Sequence, residues 1–316
     1  MDSDPYFIEG PALISFSGGR TSGYMLRKIL DRGLQPNVHV LFCNTGKEDD
    51  RTLDFVRDCE VNWDVRIRWL QYRRRYLPEY RSPEVAAAAA KLREHFGFHF
   101  DPLPPGGDEP GFVEVDYTRA ARTKDVPSVH HPFTNLVMVS GVPNAATRLC
   151  STEMKTRVMK RFMLANGYEE WINVVGMRAD EPKRVKKLLV KPPERWENVA
   201  PLAEALVTEH DVLKFWGEQP FDLALPHDPA LGTYLGNCDL CMLKRPEKKV
   251  RVVQENPAVL GWWERVEQAS GSFFRPSTPY RKIRHLAVLP CDDPEVRASD
   301  PVFADGGDLA GCMCHD

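Results

Sequence analysis

Residues 17–22 have the types and the spacing to bind an anion. The apolar segment "ALISF" runs into "SGGRTS", and helix-forming residues follow at once. Consecutive backbone N–H groups in such a glycine-rich turn form a concave anion site, and a helix N-terminus adds partial positive charge. The hydroxyl groups of the turn are further donors. The predicted anion-binding residues are Ser17, Gly18, Gly19, Arg20, Thr21 and Ser22.

Two common phosphate-binding patterns do not fit this loop. A Walker loop needs Gly-x4-Gly-Lys-Ser/Thr, a spacing that the chain lacks, and a dinucleotide-binding loop needs Gly-x-Gly-x-x-Gly. Gly18, Gly19 and Gly23 have a different spacing. Two interpretations stay open from the residues alone: an anion-binding Ser-Gly-Gly-x-x-Ser loop, or a tight strand-to-helix turn capped by serine.

Five of the eight cysteines have positions that suit a shared site. Two of them form a Cys-x-x-Cys pair in "GNCDLCMLK", one opens a predicted helix where a thiolate is favoured, and two lie in the final "GCMCHD". Four thiolates suit a [4Fe–4S] cluster; four cysteines, or three with His315, suit Zn²⁺. A dithiol pair for sulfur relay and the absence of any joint role are the other interpretations. The candidate ligands are Cys150, Cys238, Cys241, Cys312 and Cys314.

The elements that must position these residues alternate between strand and helix. The apolar runs "ALISF", "VHVLFCN" and "VRIRWLQY" predict buried strands, and "SGYMLRKILDRG" and "EDDRTLDFVRDCE" predict the helices between them. This alternation predicts an α/β fold with a doubly wound parallel sheet, whose ligand crevice lies at the carboxyl ends of the strands. The loop at residues 17–22 falls at that edge.

The remaining pattern predicts a second, mostly helical part. We expect an α/β domain over residues 1–200, with an insertion at about 77–145 that contains a helix at Pro83 to Phe96. Residues 201–316 are predicted to form a helical region with the cysteine loop and a cysteine-bearing tail. There "TEHDVLKFWGEQ" and "KKVRVVQENPAVLGWWERVEQ" predict one helix on each side of that loop. The adjacent histidines His130 and His131 are expected to be ordinary loop residues.

Four segments, in order, resemble a known family. They are "SFSGGRTSGYML", "VLFCNTGKEDDRTLDFV", "RLCSTEMKTRVMKRF" and "VVGMRADEPKR". Together they span about residues 11 to 187 and are similar to the PP-loop ATP pyrophosphatase superfamily, in its phosphoadenylyl-sulfate (PAPS) reductase-like branch. The resemblance implies an adenine nucleotide alpha-hydrolase-like fold. Thr21 stands where many members have Asp, and the Glu-Cys-Gly-Leu-His tail of PAPS reductases is missing.

The resemblance implies a reaction and roles for individual residues. ATP would be split at its α-phosphate, giving an adenylylated acceptor for sulfur transfer and pyrophosphate. Lys155, Arg178 and Arg184 would be catalytic and would clamp phosphate oxygens. The loop residues would bind the nucleotide together with Asn44, Thr45, Gly46, Gly176 and Glu181. Magnesium would accompany ATP, with Asp180, Glu181 or Glu48 as its oxygen ligands.

The resemblance also implies cofactors, partners and alternatives. Related members use iron–sulfur clusters, which favours a [4Fe–4S] cluster on the cysteines. The partners would be ATP or another adenine nucleotide, a nucleic-acid acceptor for base thiolation or DNA phosphorothioation, and a sulfur donor such as a cysteine desulfurase. Two alternatives stay open: a reductase of adenylyl sulfate or PAPS, and a nucleotide-binding module that acts through a partner.

The composition bounds these hypotheses. The chain has 316 residues, of which 42% are hydrophobic and 28% charged, enough for one or two globular domains. We expect no membrane span, because no apolar run approaches about 18 residues. The acidic start is unlike a signal peptide, which predicts a cytoplasmic protein with unpaired thiols. A net charge of −3 gives no global attraction to polyanions. Local basic clusters recur at residues 73–75, 155–161, 183–187 and 244–251.

Overall fold

The structure is a computed structural model that describes residues 4–74, 83–97, 111–124, 128, 130–190, 194–236 and 238–288. Its first half contains β1 (Ala12–Ser15), α1 (Arg20–Leu30), β2 (Val38–Asn44), α2 (Asp50–Trp63), β3 (Ile67–Tyr72), α3 (Pro83–Phe96), β4 (Phe112–Val115) and α4 (Pro132–Ser140). Its second half contains α5 (Leu149–Ser151), a π-helical turn (Thr152–Thr156), α6 (Arg157–Ala165), β5 (Trp171–Val175), α7 (Pro182–Leu189), β6 (Trp196–Val199), α8 (Pro201–Glu204), α9 (Glu209–Gly217), β7 (His227–Asp228), β8 (Gly232–Thr233), α10 (Pro246–Glu255), a 3₁₀ turn (Pro257–Val259), α11 (Leu260–Ser270) and α12 (Tyr280–Val288).

A six-stranded, mostly parallel sheet forms the centre of the fold. The strand order is β4-β3-β2-β1-β5-β6, and β1 pairs in parallel with both β2 and β5. The sequence-based prediction of an α/β fold is therefore confirmed. One strand differs from an all-parallel sheet: β4 runs antiparallel along β3, with Trp69 opposite Val115. This strand lies in the segment for which the sequence predicted only an insertion.

The order of the strands determines where a ligand can bind. The chain leaves β1 toward β2 and β3 on one side, and returns to β5 and β6 on the other. The loops that follow β1, β2 and β5 therefore meet at the carboxyl edge of the sheet, where the order changes direction. Such a switch point leaves a crevice between the first helices of the two halves.

Three of the predicted elements match closely, and one is wrong. β2 and α3 have the bounds that the sequence predicted, and α1 follows the glycine loop directly. The single helix predicted for "KKVRVVQENPAVLGWWERVEQ" is instead two helices, α10 and α11. The break falls at Asn256, because Pro257 has no N–H to continue the helix and the Asn256 side chain accepts a hydrogen bond from the backbone N–H of Ala258 at 3.3 Å.

One hydrophobic cluster joins the sheet to the helices that follow it. It runs from Tyr6 to Leu286 and includes the strands β1 to β3 as well as α10, α11 and α12. Trp216, Trp262 and Trp263 are buried in it. Within the described ranges no helix is long and apolar enough to cross a membrane. The proposed division of the chain at residue 200 stays a prediction.

Candidate nucleotide and cysteine site

The predicted anion loop lies between β1 and α1. α1 begins at Arg20 without any side-chain cap, and in the described chain the N–H groups of Gly19, Arg20 and Thr21 donate to no acceptor. The hydroxyl of Ser22 instead accepts from the Ser17 N–H at 3.2 Å and donates to the Gly19 carbonyl at 2.9 Å. The loop thus closes on itself and leaves the first N–H groups of the helix available to an anion.

Two glycines let the backbone approach its neighbours closely in this region. Gly18 has φ of +78°, and a Cβ there would lie 2.9 Å from Cγ2 of Thr52, beside Val56 and Phe42. A Cβ on Gly176, just after β5, would lie 3.3 Å from Cα of Ser22. The loops after β1 and β5 are therefore in backbone contact at the carboxyl edge of the sheet.

Arg178 joins the same two loops through its side chain. The buried guanidinium donates to the Thr21 hydroxyl at 3.1 Å and pairs with the Asp180 carboxylate at 2.9 Å. Asp180 in turn accepts from the Glu209 N–H at 3.0 Å, at the start of α9. Thr21 is thus a partner of this arginine.

The other predicted residues of these loops are engaged in ion pairs. Arg184 pairs with Glu181, whose second oxygen accepts from the Arg178 N–H at 3.2 Å. The Arg20 guanidinium donates to both carboxylate oxygens of Asp222 at 2.8 Å and to the Leu223 carbonyl at 2.7 Å. The structure therefore shows Arg20 tying α1 to the segment after α9.

The turn after β2 is held by its own side chains. Asn44 accepts from the Gly46 N–H at 2.8 Å and donates to Gln71 at 3.0 Å and to the Ala121 carbonyl at 2.9 Å. Thr45 donates its hydroxyl to Glu48 at 2.7 Å and its N–H to the same carboxylate at 3.0 Å. Asn44, Thr45 and Glu48 thus shape the turn that was predicted to bind the nucleotide and magnesium.

The cysteine loop packs directly on this turn, an arrangement that we call the cysteine–turn contact (residues 45–48 with 238–239). Glu48 forms an antiparallel bridge with Cys238, and the Asp239 N–H donates to the Lys47 carbonyl at 2.7 Å. The Cys238 sulfur lies 3.5 Å from the Thr45 hydroxyl. The helical second half therefore brings its cysteine pair to the edge of the sheet where the predicted nucleotide residues lie.

Asp239 is a buried carboxylate at the centre of this contact. It accepts from the Leu240 N–H at 2.6 Å, from the Trp263 indole at 3.0 Å and from the Thr123 hydroxyl at 3.0 Å. Burial raises its pKa, and the charge of Lys47 opposes the rise. The Lys47 ammonium, itself buried, lies 4.3 Å from the centre of the Trp262 ring. Every polar group of Asp239 thus has a partner.

His131 supports the same turn from α4. Its Nε2 lies 3.1 Å from the Gly46 carbonyl, and its ring occupies the space that a Cβ on Gly46 would need. Burial, helped by the charge of Lys47, lowers its pKa to about 3, so the ring is neutral at physiological pH. A neutral imidazole donates from one nitrogen, and Nε2 faces the carbonyl, so the buried Nδ1 is left without a hydrogen-bond partner in the described chain.

Lys155 lies among the thiols of this region. It belongs to the π-helical turn that joins α5 to α6, and its carbonyl lies 3.9 Å from the Cys43 sulfur. Burial raises the pKa of Cys43 to about 12 and that of Cys238 well above its ordinary range, and the charge of Lys155 opposes both rises. Lys155 and Cys238 are thus close in space although they are far apart in the sequence.

The proposed cluster ligands are placed only in part. Cys238 and Cys241 lie on one turn, with the Cys241 N–H 3.3 Å from the Cys238 carbonyl, and Cys150 lies in α5. Cys312 and Cys314 lie outside the described residues. Within the part of the chain that is described, no three His, Cys, Asp or Glu side chains are grouped to hold a metal ion. The described cysteines therefore do not by themselves form a three-ligand site.

Several residues of the site were missed or undervalued in the sequence. His131 was expected to be an ordinary loop residue, and Asp239 and Lys47 were not singled out. A signal was present for Asp239, which lies between the two cysteines of the Cys-x-x-Cys pair. His131 gave a weaker signal, because Pro132 after it marks a helix start. Neither signal indicates which distant turn the side chain contacts.

Comparison with known proteins identifies one relative. No protein-family model matches the chain. The uncharacterised nin region protein ORF290 of Escherichia phage lambda is 30% identical over 244 residues, which cover 75% of this chain and 67% of the phage protein. An identity of this extent spans most of both chains. The chain therefore belongs to the same family as the phage nin region protein ORF290.

Proposed function

We propose that the protein is a PP-loop ATP pyrophosphatase that adenylylates an acceptor for sulfur transfer. The observation that carries the proposal is the uncapped start of α1, whose first N–H groups are available at the switch point of the sheet. The resemblance of residues 11–187 to the PAPS reductase-like branch supports it. The cytoplasmic location expected from the sequence and the adenine nucleotide alpha-hydrolase-like fold are parts of this proposal.

In the proposed reaction an acceptor oxygen attacks the α-phosphorus of ATP, the bond between the α- and β-phosphates breaks, and pyrophosphate leaves. The loop amides of α1 would stabilise the negative charge that develops on the leaving group. The terminal sulfur of a persulfide then displaces AMP, which leaves the acceptor joined to the donor through an S–S bond. A second thiol cleaves that bond, so the sulfur stays on the acceptor and the two protein thiols are oxidised to a disulfide. We propose a nucleic acid as the acceptor and a cysteine desulfurase or a similar enzyme as the source of the persulfide.

Two cations would assist this chemistry. Arg178 donates to the Thr21 hydroxyl at the loop, and the positive charge of Lys155 acts on the thiols of Cys43 and Cys238. We propose that both cations contact the phosphate chain of the nucleotide. Glu48 and Asp180 already accept several hydrogen bonds, so magnesium would compete with those donors for their oxygens.

The [4Fe–4S] cluster remains a proposal that depends on the tail. Cys238 and Cys241 would supply two thiolates; the other two would come from Cys150, which is not grouped with this pair in the described structure and would have to approach it, and from Cys312 or Cys314. A cluster bound there would supply labile sulfur or one-electron chemistry. Iron and acid-labile sulfide should be measured in protein purified without oxygen, with Cys238→Ser as the matched variant. Zinc in place of iron would contradict this part of the proposal.

Thermal unfolding under anaerobic conditions tests the nucleotide proposal. Mg-ATP, adenylyl sulfate and PAPS are added separately, and a ligand at about 100 times its dissociation constant should stabilise the fold by roughly 2.7 kcal/mol. We expect stabilisation by Mg-ATP, and its loss in Lys155→Met but not in the control Lys160→Met on the same helix. Stabilisation by a sulfated nucleotide alone would instead indicate a reductase. No stabilisation by any of the three would contradict nucleotide binding.

A further inference from the structure

A group of polar side chains at the end of β3 and on α6 contains buried atoms that lack hydrogen-bond partners in the described chain. We call Tyr72, Arg74, Arg157 and Arg161 the arginine cluster. Tyr72 ends β3, Arg74 follows it, and the other two arginines lie on α6. Glu153 lies among them: it pairs with Arg157, and its second oxygen is 3.7 Å from Nη2 of Arg161.

Three buried polar atoms of this cluster have no hydrogen-bond partner within hydrogen-bonding distance in the described chain. They are the hydroxyl of Tyr72, which is 1% exposed, Nη1 of Arg161 and Oε2 of Glu153. Buried donors are almost always hydrogen-bonded in folded proteins, because each lost its water on folding. Two buried donors lack a hydrogen-bond acceptor beside a single carboxylate that already pairs with Arg157, which indicates that an external acceptor binds among them.

The charge of the cluster is also unbalanced. Three guanidinium groups surround one carboxylate, which leaves a formal charge of +2, and Arg74 has no ion pair within the described residues. Burial and the charge of Arg74 both lower the pKa of Arg161. An anion placed among these groups would relieve this repulsion.

The cluster is held rigidly in this arrangement. Asn135 accepts from the Arg74 N–H at 2.8 Å and donates to its carbonyl at 3.0 Å, which fixes the backbone after β3. Gly111, with φ of +74°, lies against the Arg161 side chain so closely that a Cβ there would be 3.0 Å from Cδ, Nε and Nη1. The backbone at Gly111 therefore covers one side of the Arg161 guanidinium. This contact fixes the orientation of the guanidinium before a ligand binds.

We propose that the arginine cluster binds a phosphodiester group of the nucleic-acid acceptor. This inference rests on the proposed function and adds the place where the acceptor is held. Guanidinium forks match the oxygens of a phosphate, and a tyrosine hydroxyl is a further donor. β3 lies next to β2, whose carboxyl end carries the cysteine–turn contact. The cluster is therefore at the same edge as the anion loop but two strands away from it, where it serves a different phosphate from those of ATP.

The test is the binding of a fluorescein-labelled single-stranded DNA 12-mer to the full chain, measured by anisotropy from 50 to 300 mM salt. Arg161→Gln should weaken binding about tenfold at 100 mM salt and reduce the slope of log K against log salt by about 0.7 to 1, because one phosphate contact is lost. Tyr72→Phe should weaken binding two- to fivefold with an unchanged slope. Arg119→Gln, an exposed arginine after β4 at the opposite edge of the sheet, should stay within twofold of the wild type.

Three outcomes would overturn the proposal. Equal affinity and slope for Arg161→Gln and the wild type would remove the cluster from the interface. An equal loss in Arg119→Gln would indicate a general charge effect. Inorganic phosphate that stabilises the wild type but not Arg161→Gln in thermal unfolding, with unchanged DNA affinity, would assign the cluster to a free oxyanion. Mg-ATP stabilisation, measured on the same variants, reports on the proposed function separately, because these variants leave the anion loop unchanged.

Discussion

The cysteine–turn contact and the arginine cluster lie at the same edge of the sheet, at the ends of neighbouring strands, and differ in how their polar groups are satisfied. In the first, the buried carboxylate of Asp239 has three donors, and Lys47 lies over an aromatic ring. In the second, a buried hydroxyl and a guanidinium nitrogen lack acceptors. Polar groups whose hydrogen bonds are all made within the protein hold two segments together. Buried donors that lack an acceptor, at a position fixed by the backbone, instead indicate a ligand.

The largest expected effect tests the cysteine–turn contact, in which every polar group of Asp239 has a hydrogen-bond partner. Asp239→Ala leaves three donors without an acceptor and Lys47 without its neighbouring charge, so we expect a loss of about 3–5 kcal/mol in the free energy of unfolding. Urea unfolding in reducing buffer measures it. Asp239→Asn, which retains one acceptor oxygen, is the matched variant and should lose less. A loss below about 1 kcal/mol in Asp239→Ala would mean that the contact is not structural.

A second prediction concerns the anion loop, which is packed on one side and open on the other. Gly18→Ala places a methyl group against Thr52, Val56 and Phe42 at a positive φ, and should cost about 2–4 kcal/mol in unfolding free energy. Gly10→Ala is the control, because it has φ of +88° but no atom within 4 Å of the added Cβ. The difference between the two variants isolates the close approach. Equal losses would mean that backbone strain alone is responsible.

The third prediction uses the buried imidazole that supports the turn after β2. The pKa of His131 is about 3 in the folded protein and 6.5 when unperturbed, so below pH 6.5 the unfolded chain binds a proton that the folded chain does not. Stability should therefore fall as the pH decreases from about 6.5 to 4.5, with a slope that approaches about 1.4 kcal/mol per pH unit from this group. His131→Gln should have a shallower slope in urea unfolding over this range. Parallel slopes would contradict a neutral buried His131.

The smallest expected effect tests the arginine cluster, in which buried donors lack acceptors. Arg161→Met removes a guanidinium that has one weak ion pair and an unsatisfied nitrogen, while keeping apolar bulk of similar length. We expect the free energy of unfolding to change by less than about 1 kcal/mol, because the lost ion pair is long and Glu153 keeps its pair with Arg157. Thermal or urea unfolding without added anions measures it. A loss above 2 kcal/mol would show that Arg161 is structural and would remove the contrast with Asp239.

The sequence predicted the parts of the fold that depend on local pattern. β2 and α3 were predicted with their observed bounds, and the glycine loop was placed correctly between a strand and a helix. β4 was missed because a four-residue edge strand in a segment rich in Pro and Gly gives little periodicity. The helix break at Asn256 was missed because apolar periodicity continues on both sides of Pro257, although this proline carried the signal.

The candidate site was predictable in its components but not in its contacts. Residue types and spacing indicated the loop and the cysteine pair. No pattern along the chain indicates that Cys238 bridges Glu48 or that Arg161 lies beside Tyr72, because these contacts depend on how distant elements pack. The same limit applies to Arg20, which was expected at a phosphate and is paired with Asp222.

The π-helical turn from Thr152 to Thr156 interrupts the helical run that carries three reactive side chains. α5, this turn and α6 follow one another directly, so Cys150, Lys155 and Arg161 belong to one helical run. A π turn contains one residue more than an α-helical turn, and one residue corresponds to about 100° of rotation. Because the wide turn takes up this extra residue, its deletion should leave a regular helix in which Cys150 and Arg161 keep nearly the same faces. The irregularity is therefore confined to the turn that carries Lys155, while the segments that carry Cys150 and Arg161 are ordinary α-helix.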